Sequence, residues 1–187
     1  GIMNIIESSL FHDFEKGMCG KEMQKSIKLY QDAKDFYASY DTTLPNDTCM
    51  YEVTSFLDPE GAAGHLNWGV SLLHPVLVDG ECNMTRGHFH HDLSCEEYYW
   101  CAKGEGLLML MDEQGNCWSE KMHVGTLHHI HGHHAHRLIN TGNEDLEVIC
   151  VWPANAGHDY ARIEEHPFPY RVYKENGEVI VRRRKND

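Results

Sequence analysis

Apolar positions between residues 22 and 40 recur at steps of three and four: Met23, Ile27, Tyr30, Ala33, Phe36 or Tyr37, and Tyr40, with Lys, Asp and Gln between them. This spacing predicts an amphipathic helix lying against the outside of a sheet. From Met50 onward the texture changes to short segments rich in β-branched and aromatic residues, punctuated by Gly, Pro, Asn and Asp. Strands are predicted at Tyr51 to Phe56, Leu66 to Leu73, Arg86 to His90, Glu97 to Ala102, Gly106 to Met111, Cys117 to Met122, Thr126 to Ile130, His136 to Asn140 and Leu146 to Trp152. Turns fall between them, and Thr141 to Glu144 reads as a tight hairpin with Gly142–Asn143 at its centre. An irregular stretch from Pro153 to Pro169 precedes two short strand-like runs around Asn176–Gly177. Many short strands without a returning helical period imply a mainly all-β sandwich or barrel.

The chain has 187 residues and shows no internal repeat or low-complexity linker, which fits a single structural domain: residues 1–45 as an extension with the helix, and 46–187 as the barrel. Seven cysteines without a C-x-x-C pair point to neither a disulfide framework nor a zinc knuckle, and a reducing cytoplasm is the simpler expectation. Residues 1–14 lack the pattern of a signal peptide, and the longest apolar run, Leu107 to Met111, is too short for a membrane span. A formal net charge of −13 argues against nucleic acid and anionic lipid as partners. The one strong basic run, Arg182 to Lys185, reads as a solvated end.

The chemistry concentrates in Thr85-Arg86-Gly87-His88-Phe89-His90, followed by Glu97. On a strand, His88 and His90 project to one side and Phe89 to the other. A connection at Asp92–Ser94 would then return an antiparallel strand carrying Glu97 beside the pair, and His136 could supply a third imidazole. Three imidazoles and a carboxylate suit Fe(II), Mn(II), Ni(II) or Zn(II) better than calcium or magnesium. An isolated H-x-H is more often a pair of ordinary hydrogen-bonding histidines. The spacing onward to Glu97, Gly104, Gly125, His136 and Asn140 changes those odds.

Those positions resemble the two signature motifs of the cupin superfamily. Met84-Thr85-Arg86-Gly87-His88-Phe89-His90 and Trp152-Pro153-Ala154-Asn155-Ala156-Gly157-His158-Asp159-Tyr160 together resemble the cupin-type phosphoglucose isomerases of archaea and some bacteria, over about Tyr51 to Val181. The resemblance implies a jelly-roll barrel and one divalent metal ion per subunit, Fe(II) first, held by His88, His90, Glu97 and His136. It further implies a phosphosugar substrate and a homodimer. Glu97 would also move the proton; Glu96 is the competing carboxylate, but the motif's spacing to Gly104 favours Glu97, and alternation then puts Glu97, Tyr99 and Cys101 inside and Glu96 outside. Ser71, Thr85 and Gly87 fall on phosphate-site positions, with Arg86 adding charge beside them or serving as an ordinary surface residue. Tyr51, Tyr99, Trp152, His158 and Tyr160 fall on pocket positions, where core packing is the plainer account of Tyr51 and Tyr99. Ser71 stands where the family usually has Thr. Trp152 stands where it usually has Tyr, and an indole donates a hydrogen bond but accepts none.

The implied reaction interconverts glucose 6-phosphate and fructose 6-phosphate. Glu97 would shuttle a proton through a cis-enediol, with His158 or Tyr160 assisting ring opening; a metal-assisted hydride shift is the other route. Activity on mannose 6-phosphate would be a near neighbour. A cupin dioxygenase is one rival, since the same four ligands can activate oxygen, and a non-catalytic sugar-binding cupin is another. Seven of the fourteen residues from His123 to His136 are histidine, more than one metal site uses, and the surplus reads as solvent-exposed.

Overall fold

A computed structural model describes residues 1–185. In chain order the elements are β1 (Leu10–Asp13), β2 (Gly17–Gly20), β3 (Gln24–Leu29), α1 (Tyr30–Ala33), β4 (Cys49–Phe56), β5 (Leu66–Leu73), β6 (Leu77–Val78) and β7 (Glu81–Cys82). They continue with β8 (Glu97–Lys103), β9 (Glu105–Met111), β10 (Cys117–His123), β11 (Leu127–Ile130), β12 (Ala135–Asn140), β13 (Leu146–Pro153), α2 (Tyr160–Glu165), β14 (Tyr170–Glu175) and β15 (Glu178–Arg183). A six-stranded antiparallel sheet, β11-β8-β13-β5-β4-β3, faces a three-stranded sheet, β10-β9-β12, and their apolar faces form one core. β15-β14-β7-β6 makes a further sheet, and β1-β2 a separate hairpin. Among the described residues no helix is long and apolar enough to cross a membrane.

The alternation read from the sequence appears most clearly in β8, where Glu97, Tyr99 and Cys101 are buried and Tyr98 and Trp100 are exposed. In β12 every residue is buried, the polar ones included. Arg137 donates to the backbone carbonyls of Thr85 and Arg86 at 2.9 and 2.7 Å and lies over the Phe168 ring, so its charge is satisfied inside.

Four sequence expectations need correction. Residues 22–40 do not form one helix: β3 takes residues 24–29, and only the single turn α1 and a 3-10 turn at Lys34–Phe36 follow. The apolar spacing was half right, since Tyr30, Ala33 and Tyr37 are buried while Ile27 is exposed. Pairing with β4 overrode the helical period, and part of the expected N-terminal extension is thereby an edge strand of the main sheet. Arg86 to His90 is not a regular strand, because Gly87 at φ +79° breaks the extended run; the segment instead bridges β12 at His88↔His136. It also fails to pair with β8, so Glu97 reaches the histidines from the facing sheet.

Thr141 to Glu144 is not a hairpin, since β12 pairs with β9 whereas β13 pairs with β5 and β8. The chain there crosses between sheets, and buried Asn140 closes the crossing. Its amide donates to the carbonyls of Leu73 and Glu144, and its oxygen accepts from the Gly142 N–H, each at 2.9 Å. Finally, the stretch from Pro153 to Pro169 contains α2, whose N-terminus Asp159 caps by accepting from the Arg162 N–H.

Candidate active site

Between the two sheets lies a cavity of about 380 Å³, within the range of small-molecule sites. At its deep end His88, His90, Glu97 and His136 each offer one ligand atom, all within 4.8 Å of one another. Three different pieces of chain deliver them: the crossing segment 86–90, β8 and β12. His88 and His90 lie on one side of their segment, while Phe89 is buried on the other beneath the Arg162 guanidinium.

The imidazole orientations are fixed from behind. His90 Nδ1 lies 2.8 Å from the Cys95 carbonyl and His136 Nδ1 lies 3.3 Å from that of His134. A carbonyl only accepts, so each Nδ1 carries a proton and each ring turns its Nε2 inward. Both Nε2 atoms point at the same oxygen, Glu97 Oε1, from 3.0 and 3.3 Å, and buried His136 Nε2 has no hydrogen-bond partner. Two buried imidazole nitrogens converging on one carboxylate oxygen need a positive charge among them, a proton or a metal ion. This is the arrangement in which ligating histidines are oriented by backbone carbonyls around a metal ion. His88 belongs to the same set: burial, then the neighbouring imidazoles, hold its pKa well below the usual histidine value, which keeps its ring neutral. For Glu97, burial alone would push the carboxyl up, but the imidazoles of His136 and His90 outweigh it and hold it low.

Around this end stand Tyr99, Cys150, His158 and Tyr160. His158 and Tyr160 stack at 5.8 Å with 9° between ring planes, and the His158 ring lies 4.3 Å from that of His88. Burial pushes the Tyr51 hydroxyl up to about 12 and that of Tyr99 well above its usual value, so both stay protonated and can donate.

Toward the mouth the same cavity is lined by Tyr51, Ser71, Thr85, Arg86, Gly87 and Trp152. Every site residue expected from the sequence therefore borders this one space, except His90, which backs it from behind. Two qualifications matter. Arg86 is engaged by the Glu164 carboxylate and lies 4.5 Å over the Tyr160 ring, so its charge is partly spent on α2. Thr85 Oγ1 already accepts from the Leu138 N–H at 3.0 Å, which leaves its proton to donate. Trp152 packs against Gly69, where a Cβ would come within 3.0 Å of the indole.

Sequence reasoning missed Lys28 and Ser26. The helical spacing leaves both among the positions between its apolar residues; on β3 they alternate toward the cavity, Ser26 paired with Val53 and Lys28 with Tyr51. Lys28 is half-buried and has no carboxylate partner among the described residues. A period-two reading of Gln24 to Leu29 would have found it. Glu96, the competing carboxylate, faces outward and pairs with His129 at 2.9 Å. Glu113 and Glu120 likewise meet His133 and His128 at 3.0 and 2.8 Å, and His128, only 4% exposed, departs from the expectation that the surplus histidines are solvent-exposed.

The glucose-6-phosphate isomerase (GPI) family model matches residues 20–187. The glucose-6-phosphate isomerase of Thermococcus litoralis is 33% identical over 174 residues, covering 91% of this chain and 90% of that protein. The Pyrococcus furiosus protein of the same name is 34% identical over 173 residues, 90% of each chain. Among solved structures, oxalate decarboxylase from Bacillus subtilis superposes with TM-score 0.47 and 14% identity over 58% of this chain and 26% of that one, too distant to bear on the site.

Proposed function

Since the chain belongs to the glucose-6-phosphate isomerase family, we infer that it interconverts glucose 6-phosphate and fructose 6-phosphate, in the cavity between its two sheets. The observation that carries the assignment of the site is the convergence of two carbonyl-anchored imidazoles on Glu97 Oε1.

His88, His90, Glu97 and His136 would hold one divalent ion, with Fe(II) the first choice and Mn(II), Ni(II) and Zn(II) compatible with the same donors. When bound, the ion supplies Lewis-acid stabilisation of negative charge on the substrate's O1 and O2. Glu97 Oε1 faces the histidines while Oε2 takes part in neither contact, so Oε2 is the group placed to take the proton from one carbon and return it to the next. The low pKa of Glu97 makes it a weak base, and Tyr99, protonated and buried two residues along β8, is placed to donate to a substrate oxygen as the proton leaves. His158 and Tyr160, stacked on each other beside His88, assist ring opening.

At the other end, the hydroxyls of Ser71 and Thr85 and the Gly87 backbone bind the phosphate, and Lys28 supplies the charge. An anionic substrate approaching a chain of net charge −13 needs such a local cation.

The test is a coupled fructose 6-phosphate to glucose 6-phosphate assay on chelator-stripped protein, before and after adding each of the four metals anaerobically. Turnover should fall to background on stripping and return with at least one metal. Metal uptake without turnover in all four would overturn the proposed role of the site and turn attention to oxygen consumption.

A further inference from the structure

A second cluster of metal-type donors lies outside the cavity. Cys49 and Glu52 on β4 and His74, the residue after β5, each offer a ligand atom within 4.8 Å of the others, and none of the three lines the cavity. Glu52 alternates with Tyr51 and Val53, which face the cavity, so it projects from the opposite face of the sheet.

The frame beneath these donors is rigid. His74 donates its N–H to the Met50 carbonyl at 3.1 Å, and its own carbonyl accepts from the buried Asn83 amide at 2.9 Å. The His74 ring is oriented in turn, with Nδ1 2.8 Å from Asp145 Oδ1. That contact engages Nδ1 and leaves Nε2 as the ring nitrogen open to a ligand, the carboxylate-histidine pairing that accompanies ligating imidazoles. Glu52 divides its oxygens: Oε2 meets exposed Lys25 at 3.2 Å, while Oε1 faces the Cys49 sulfur at 3.9 Å. Donors on one tetrahedral ion stand about 3.5 Å apart, given bonds of roughly 2.0–2.3 Å. The sulfur and carboxylate are already near that separation, and small side-chain rotations close the remainder.

We propose that Cys49, Glu52 and His74 form a second, structural metal site for a borderline-soft divalent cation of the zinc type, with Asp145 orienting His74 and water completing a tetrahedron. One sulfur, one nitrogen and one oxygen donor suit zinc or cobalt and disfavour calcium and magnesium. The bound ion staples the start of β4 to the end of β5 and displaces Lys25 from Glu52. Burial and the Glu52 carboxylate raise the Cys49 thiol pKa when no cation is present; a cation reverses that balance and favours the thiolate.

Sulfur makes the site distinguishable from every other metal-type cluster described above, because the cavity ligands and the loop histidines contain none. Chelator-stripped wild-type chain titrated with Co²⁺ should develop a near-ultraviolet sulfur-to-cobalt charge-transfer band that saturates at one thiolate-bound ion per chain. Zn²⁺ should abolish the band. Cys49→Ser should lack it, Cys117→Ser should keep it, and His74→Gln should weaken the apparent affinity tenfold or more. A wild-type chain without the band overturns the site, as does a band that survives Cys49→Ser with unchanged circular dichroism. Should Cys49→Ser fail to fold, Glu52→Gln and His74→Gln decide: wild-type affinity in both overturns it.

Discussion

The two ends of the cavity are built on opposite physical plans. At the deep end, three pieces of chain from both sheets bring four donor groups together, with His136 and Glu97 only 1% and 6% exposed. The His90 and His136 rings are held by backbone carbonyls, so neither can shift without breaking those contacts as well. At the mouth, edge strand β3 contributes a half-buried lysine, while the partly exposed hydroxyls of Ser71 and Thr85 come from β5 and from the segment that bridges β12. On the proposed reading, chemistry at the deep end depends on position and recognition at the mouth depends on charge. A substitution should therefore change turnover at one end and affinity at the other.

Glu97→Gln is the sharpest test of that division. It removes the proton acceptor while keeping shape, and kcat should fall by about 10³-fold or more, given the 10²–10⁴-fold typical of a lost acid-base group. Metal content by elemental analysis must be followed alongside, because substantial residual turnover with metal retained would favour a hydride shift over the proton route. Gly87→Ala probes the junction between the ends. Its Cβ would meet the Phe168 ring at 2.6 Å and the His136 carbonyl at 3.2 Å, at a φ of +79° that L side chains resist. A cost of about 2–3 kcal/mol is expected, seen as a melting temperature lowered by roughly 5–10 °C, with metal affinity reduced because His136 is displaced. Lys28→Met should have the smallest effect. KM for fructose 6-phosphate should rise about tenfold, near 1.4 kcal/mol, with kcat within about twofold and Lys28→Arg restoring most of the loss. An unchanged KM would remove Lys28 from the phosphate end.

The same division governs what could be read from the sequence. The deep end was legible because His88, His90 and Glu97 sit at short intervals along one stretch, and because β8 shows an unbroken period of two through Glu97, Tyr99 and Cys101. The partners that aim those ligands were not legible. The carbonyls of Cys95 and His134 belong to every residue type alike, and only the fold brings them behind His90 and His136. Lys28 was hidden by a real but misleading period. Tyr30, Ala33 and Tyr37 are buried as a helix would bury them, and the short turn they occupy lent its spacing to the strand before it. The Thr141 to Glu144 turn misled for another reason: Gly142–Asn143 marks a reversal, but sequence does not say whether the chain stays in its sheet. Asn140, bonded both to Leu73 at the end of β5 and to the turn, decides it.

The ligand set also bears on the order of assembly. His88 and His136 are far apart along the chain and meet only where the crossing segment bridges β12, while Glu97 arrives from the facing sheet. Contacts of such long sequence separation form late, after the entropy of closing long loops has been overcome. No short fragment of the chain carries a complete set of ligands, so an ion cannot serve as a template for folding. An ion held there would be captured by the folded sheets and act as a latch, slowing their opening while leaving the rate of their closing to the polypeptide alone.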